Sequence, residues 1–313
     1  MKIYRSLLEL SRKELDFLDK SKTLVAIPVG IIEQHGPHLP VGTDCFMAEA
    51  ATIEMINQIH RQMPGWEFVL FPTIFCGTQS IDEVSKNFSS VGSIPIRSRV
   101  LRDLVIDLGN LIAKSGFQYV IILNRHGSPL HTRALDEASQ FIREKFGIKM
   151  FSIRFKTNRK LLERANSLMT IPLTRENIDN ITTEVHAGCV ETSCIISLYP
   201  NLVNDIYKSL TPVPLMDAKE IYTKANEKGW EGFFGFPHLA KAEFGKAVIM
   251  AAAIELAEKV IEVLKGSEFP EYESLDNPEQ LQVNRQRLDK EMNLEKEIRQ
   301  WLQSKKRMSS SGK

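Results

Sequence analysis

The apolar run Leu24-Val-Ala-Ile-Pro-Val-Gly30 passes straight into Ile31-Ile-Glu-Gln-His-Gly-Pro-His-Leu-Pro-Val-Gly-Thr-Asp44, and no other stretch so narrows what this chain can become. The run reads as a buried strand. The turn-rich segment behind it opens where ligands sit in an open α/β sheet, at a strand's C-terminal end. Glu33 and His35 are two residues apart, so in extended chain they face one side and one ion together. Carboxylate oxygen mixed with imidazole nitrogen suits divalent Zn, Mn or Fe better than a calcium cage. A solvated loop with Asp44 as a helix cap is the plain alternative, and a lone Glu-x-His pair would not outweigh it. The other histidines shift the balance. Of the seven in the chain, His60 is set aside, whereas His35, His38, His126, His131, His186 and His238 lie beside glycine-rich turns or acids. Separate segments converging on one site explain that placement economically.

Strand and helix patterns alternate after the first motif. Cys45 to Gln62 has helical periodicity, Phe68 to Ile74 reads as a strand, and Arg97 to Ser115 carries a buried stripe of Leu101, Leu104, Val105, Leu108, Leu111 and Ile112 capped by Gly116. Tyr119-Val-Ile-Ile-Leu-Asn124 is a continuous apolar strand ending at Arg125-His126-Gly127, followed by a helix from about Thr132 and a strand at Lys149 to Ile153. This alternation predicts a mostly parallel sheet covered on both faces. Cys76 to Ile96 is too polar for core and is expected to border the site. A short buried helix is expected at Glu191 to Tyr199 and a core helix at Ala247 to Leu264. Beyond residue 268 the character changes: Leu281, Leu288, Met292, Ile298 and Leu302 form a thin stripe on a charged helix, and the end, Lys305-Lys-Arg-Met-Ser-Ser-Ser-Gly-Lys313, is expected to be disordered. The expected division is therefore residues 1–268 and a C-terminal helical arm, 269–313.

Composition excludes several function classes. Forty basic and 39 acidic side chains leave a net charge of +1, so no global field holds a nucleic acid, and a small-molecule substrate is the better default. The N-terminus lacks a signal-peptide core and no run approaches membrane-spanning length, which predicts a cytoplasmic protein without a membrane partner. Cys45, Cys76, Cys189 and Cys194 show no Cys-x-x-Cys spacing and read as buried thiols in a reducing compartment.

At the level of whole motifs the chain resembles the creatininase (creatinine amidohydrolase) family from roughly Val25 to Leu264. Glu33 to Asp44 is close to that family's first metal motif, Asn124-Arg-His126-Gly to its second, and His186-Ala-Gly-Cys-Val-Glu191-Thr-Ser to its third; Gly229-Trp230 and Phe236 to Gly245 are similar to its C-terminal region. The resemblance implies a three-layer α/β/α domain, a ring-like homo-oligomer and a centre of two divalent metals per chain (Zn, Mn or Fe) bridged by Asp44. Glu33 and His126 would join Asp44 on one ion, and His35 would join it on the other. Creatininase completes the second set with an acid two residues beyond the second-motif histidine, where this chain has Ser128. Glu191 is the candidate in its place, either as a ligand or as a hydrogen-bond partner of one. His186 would stabilise an oxyanion or move a proton, with a loop-holding role as the alternative. His38 reads as a loop-stabilising residue, and His131 and His238 as rim residues.

The departures bear on substrate. The family's glycine before the second histidine is Arg125 here, a candidate anchor for a substrate oxygen or else a surface ion pair. Its middle Glu-His pair is replaced by a segment beginning Asp82-Glu-Val-Ser. Arg125, Ser128 and Trp230 are the expected substrate contacts, and Ser80 and Asn87 would add polarity for a hydroxylated ring. The expected function is a metal-dependent hydrolase opening a small cyclic substrate by attack of metal-bound hydroxide on a carbonyl, first a cyclic amide C–N bond. The alternative is the C–C bond of a cyclic diketone such as an oxidised inositol (3-dehydro-scyllo-inosose type). Two readings from other classes stand beside it: a non-catalytic, metal-stabilised binding or assembly module, and a thiol enzyme using Cys189.

Overall fold

Every residue of the strand Thr23–Val29 is buried, because it runs through the middle of a sheet with helices on both faces. The computed structural model describes residues 3–85, 91–215, 220–269 and 278–310. Its strands are β1 (Arg5–Ser6), β2 (Thr23–Val29), β3 (Glu67–Leu70), β4 (Tyr119–Asn124) and β5 (Lys149–Arg154). They form one five-stranded sheet in the order β1-β3-β2-β4-β5, and all four pairings are parallel. The helices are α1 (Arg12–Phe17), α2 (Thr43–Gln62), α3 (Ser98–Lys114), α4 (Pro129–Phe146), α5 (Arg159–Ser167), α6 (Arg175–Ile181), α7 (Cys189–Leu198), α8 (Glu220–Lys224), α9 (Ala242–Leu264) and α10 (Pro278–Ser310). The fold is α/β of the three-layer kind.

Period-2 alternation sorts the strand side chains into two cores. Leu24, Ala26, Phe68, Ile121, Leu123 and Phe151 pack beneath α2, α5, α7 and α9, while Val25, Ile27, Val69, Val120, Ile122 and Met150 pack beneath α3 and α4. Each fully buried aliphatic side chain contributes about 1.5–3 kcal/mol over leaving it in water. That gain on both faces is why β2 and β4 read as uninterrupted apolar runs rather than alternating ones.

Two close approaches set the layers. A Cβ on Gly30 would lie 2.6 Å from the Cys45 amide nitrogen, so the end of β2 can meet the start of α2 only with glycine there. A Cβ on Gly245 would lie 2.0 Å from the Ser193 carbonyl oxygen, which lets α9 press against α7. Helix α2 begins at Thr43 rather than Cys45, so Asp44 stands in its first turn, where an acid is favoured by the helix dipole. Helix α4 begins at Pro129 with Ser128 at its N-cap, three residues ahead of the expected start at Thr132, since proline suits a first helical turn.

The chain divides into two units, Met1–Glu271 and Tyr272–Lys313. Helix α10 belongs to the second and runs to Ser310, through residues 305–310 where disorder is expected from composition. Residues 311–313 and Asn87 lie outside the described residues.

Candidate metal centre

The C-terminal ends of β2 and β4 lie side by side, with Val29 paired to Asn124, and each strand hands its next residues to the same point. From β4 comes His126, whose Nδ1 stands 3.2 Å from Glu33 Oε2 and 3.1 Å from Asp44 Oδ2. Its Nε2 is 2.9 Å from the Gln79 carbonyl oxygen. A carbonyl can only accept, so Nε2 carries the proton and the Nδ1 of a neutral ring turns its lone pair towards two carboxylates. Such an arrangement requires a cation between the three groups or a second proton on the ring.

A second cluster shares Asp44. His35 Nδ1 donates to the Glu33 carbonyl at 2.8 Å. Its Nε2 is buried without a hydrogen-bond partner, 3.8 Å from both Asp44 Oδ1 and Glu191 Oε2. Asp44 thus presents one oxygen to each imidazole. Glu191, in the first turn of α7, is fixed by the Ala187 amide, which donates to Oε2 at 2.6 Å, and by Arg125 Nη2, which donates to Oε1 at 2.7 Å.

Electrostatics describe the same need for positive charge. Burial pushes His35 down, yet Asp44, Glu191 and Glu33 outweigh it and raise the ring to about 9. His126 is likewise raised well above the usual imidazole range against its burial, by Glu33 and Asp44. Burial works to raise Asp44, but a hydrogen bond with His126 and the neighbouring His35 ring hold it well below the carboxylate range. Among the described residues, ligand atoms of Glu33, Asp44 and His126, of His35, Asp44 and Glu191, and of Glu33, His35 and His186 lie within 4.8 Å of one another in each group. Oxygen and imidazole donors of this kind fit Zn, Mn or Fe.

His186 is held on the opposite wall by an antiparallel bridge to Phe234. Its Nε2 donates to the Gln34 carbonyl at 2.7 Å, and its ring lies 4.3 Å from that of His35. Burial, followed by the neighbouring His35, pushes its pKa down, and with Nε2 donating, Nδ1 is its basic nitrogen.

The expected substrate contacts sit differently. Arg125 is 8% exposed and committed to Glu191, with its guanidinium carbon 5.0 Å from the centre of the Phe155 ring, so the pair is buried rather than on the surface. Ser128 Oγ donates to the Thr78 carbonyl at 3.0 Å. Trp230 stacks on Phe234 and donates from Nε1 to the Phe233 carbonyl at 2.9 Å. His131, expected at the rim, is fully buried with its ring 5.1 Å from that of His126, and its Nδ1 accepts a hydrogen bond from the Thr78 amide; His238 is exposed. His38 Nε2 meets Thr192 Oγ1 at 3.0 Å and so braces the first motif against α7. Cys189 is fully buried, and burial raises its thiol well above the usual range, which removes the thiolate that a thiol enzyme needs.

Two acids escaped the sequence reading. Glu184 accepts the Cys189, Val190 and Phe236 amides at 2.6, 3.2 and 2.8 Å, and so ties the start of α7 to the Phe236 loop. An acid just ahead of Gly188 and a helical run is the signal that could have found it. Asp82, 6% exposed and pushed up to about 6 by burial, lies close enough to Glu33 to feel its charge. No spacing rule marks it.

A family model for creatinine amidohydrolase (Creatininase) matches residues 8–260. The chain is similar to a mycofactocin precursor peptide peptidase of Mycobacterium ulcerans (strain Agy99), 34% identical over 107 residues, which is 33% of this chain and 40% of that protein. The match therefore spans well under half of that relative. Among solved structures it is similar to a manganese form of creatininase, at 19% identity and TM-score 0.60, covering 83% of this chain and 99% of the other. A variant creatininase of Zn–Zn type gives 19% identity and TM-score 0.60, over 83% and 98%. These likenesses show a shared fold.

Proposed function

Since the chain belongs to the creatininase family, we propose that it is a metal-dependent hydrolase acting on the C–N bond of a small cyclic amide. The observation that carries this reading is Asp44, buried between two imidazoles with one oxygen turned to each. Glu33, Asp44 and His126 would hold one ion and His35, Asp44 and Glu191 the other. Bound there, divalent metal lowers the pKa of water and polarises a carbonyl.

The chain's own residues supply the rest. His186, with Nε2 donating to the Gln34 carbonyl, would use Nδ1 to take a proton from the attacking water and return it to the leaving nitrogen. Arg125 balances the charge of Glu191 and fixes which of its oxygens faces His35. C–N cleavage stands ahead of C–C cleavage because the similar proteins are named an amidohydrolase and a peptide peptidase, both terms for amide hydrolysis. The near-zero net charge supports a small substrate rather than a nucleic acid. We read the protein as a cytoplasmic homo-oligomer; no helix among the described residues is long and apolar enough to cross a membrane.

The test is turnover of creatinine, cyclic ureides, short peptides and oxidised inositols by metal-free protein resupplied with zinc or manganese. Metal-restored cleavage of a cyclic amide is the expected result. Cleavage of a peptide alone moves the substrate class, cleavage of an inositol derivative alone replaces C–N by C–C chemistry, and no turnover with metal bound favours a binding module.

A further inference from the structure

Among the described residues two that are not glycine have left-handed backbone, Gln79 with φ 62° and Ala187 with φ 51°. Each hands a backbone group to a proposed ligand: the Gln79 carbonyl to His126 Nε2, the Ala187 amide to Glu191 Oε2. Conformations that side chains disfavour persist where surrounding contacts over-determine them, and they gather at functional sites. Several contacts hold Gln79 and its neighbours in place. Its Oε1 accepts the Leu130 amide of the first turn of α4 at 3.0 Å. The neighbouring Thr78 gives its amide to His131 Nδ1 at 3.3 Å, and its carbonyl takes Ser128 Oγ at 3.0 Å. Two residues beyond Gln79, the Ile81 amide donates to Glu33 Oε1.

We propose that Gln79 is a positioning residue that selects Nδ1 of His126 as the metal-binding nitrogen, and that the Thr78–Ile81 strap is the device that transmits this choice. The chain of cause is short. The helix start holds the Gln79 side chain, and Ser128 and His131 hold Thr78. The peptide after Gln79 then has its carbonyl aimed at the ring, and a ring that must donate from Nε2 has only Nδ1 to offer. The same strap fixes Glu33 through Ile81, so one segment orients two candidate ligands of one ion. Ser128 and His131, which sequence places at the substrate or the rim, become parts of this clamp.

The inference rests on the metal-dependent reading, and the experiment separates the two. Zinc is titrated into the full-length, metal-free chain against a chromophoric chelator, for wild type and for Gln79→Ala, Gln79→Gly and Gln79→Glu. Alanine removes the side-chain acceptor and keeps the left-handed backbone. Glycine removes the acceptor and the strain, so it guards against a result due to misfolding. Glutamate keeps an acceptor for the Leu130 amide. The expected result is a loss of roughly 10–100-fold in the affinity of one ion for the alanine and glycine variants, the other ion little changed, and near wild-type binding for glutamate. Spectra of zinc-loaded protein with 15N-labelled histidine should show His126 protonated at Nε2 in wild type and in the glutamate variant, and lose that signal in the other two. Alanine and glycine variants that bind both ions like wild type, or lose both equally, overturn the role of Gln79 alone. A wild type that binds no zinc overturns the metal reading and this role with it.

Discussion

The two candidate ligand clusters share Asp44 but are built by different means. Glu33, Asp44 and His126 come from the ends of adjacent parallel strands and the first turn of α2, elements that the sheet's hydrogen bonds and two apolar cores fix together. The His35, Asp44 and Glu191 cluster borrows its last acid from α7, and that acid is aimed by a buried ion pair with Arg125 and by the left-handed Ala187. The first is a consequence of strand pairing. The second depends on a charge pair that has to be held in register across 66 residues of sequence.

Removing what the clusters share should have the largest effect. Asp44→Ala is expected to lose both ions and reduce turnover to background, read by elemental analysis of the variant beside wild type; retention of either ion would show that the two clusters are independent. Arg125→Met strikes chiefly the second cluster, through Glu191. It leaves the Glu191 carboxylate buried without its partner, at a cost of about 3–5 kcal/mol in the metal-free protein. Part of that loss should return on adding zinc, as measured by urea unfolding with and without the ion. An equal loss in both conditions would mean that Arg125 does not serve the metal side of Glu191.

The smallest effect concerns pH. His38, which braces the first motif on Thr192, is pushed down to about 4 by burial and then by neighbouring His35, against an ordinary value of 6.5. The folded state therefore resists protonation where the unfolded chain accepts it. Its contribution is full above pH 6.5 and is lost as pH falls towards 4, a change of about 3 kcal/mol. His38→Gln should flatten the stability curve across that window in pH-dependent unfolding, and an unaltered acid limb would show that His38 is protonated in the fold.

Much of this was legible in advance, and the reasons are local. Strands buried on both faces must be apolar throughout, so β2 and β4 announced themselves, and glycine-rich turns behind them marked where polar groups gather. Arg125, Ser128 and His131 were harder because the question was direction rather than identity. A side chain at a strand end can face substrate or turn back into the protein, and spacing does not distinguish the two. Asp82 and Glu184 were missed for a related reason: an acid is unremarkable until its surroundings are known.

The sequence by itself determined the strand and helix alternation, the parallel sheet and the motifs that carry the candidate ligands, since periodicity and local turn chemistry act over a few residues. Only the tertiary structure decided that Arg125 answers Glu191 and that the Gln79 carbonyl fixes the proton on His126. Those are contacts between segments 66 and 47 residues apart, and burial sets their strength, because a charge or a lone pair removed from water must find its partner within the protein.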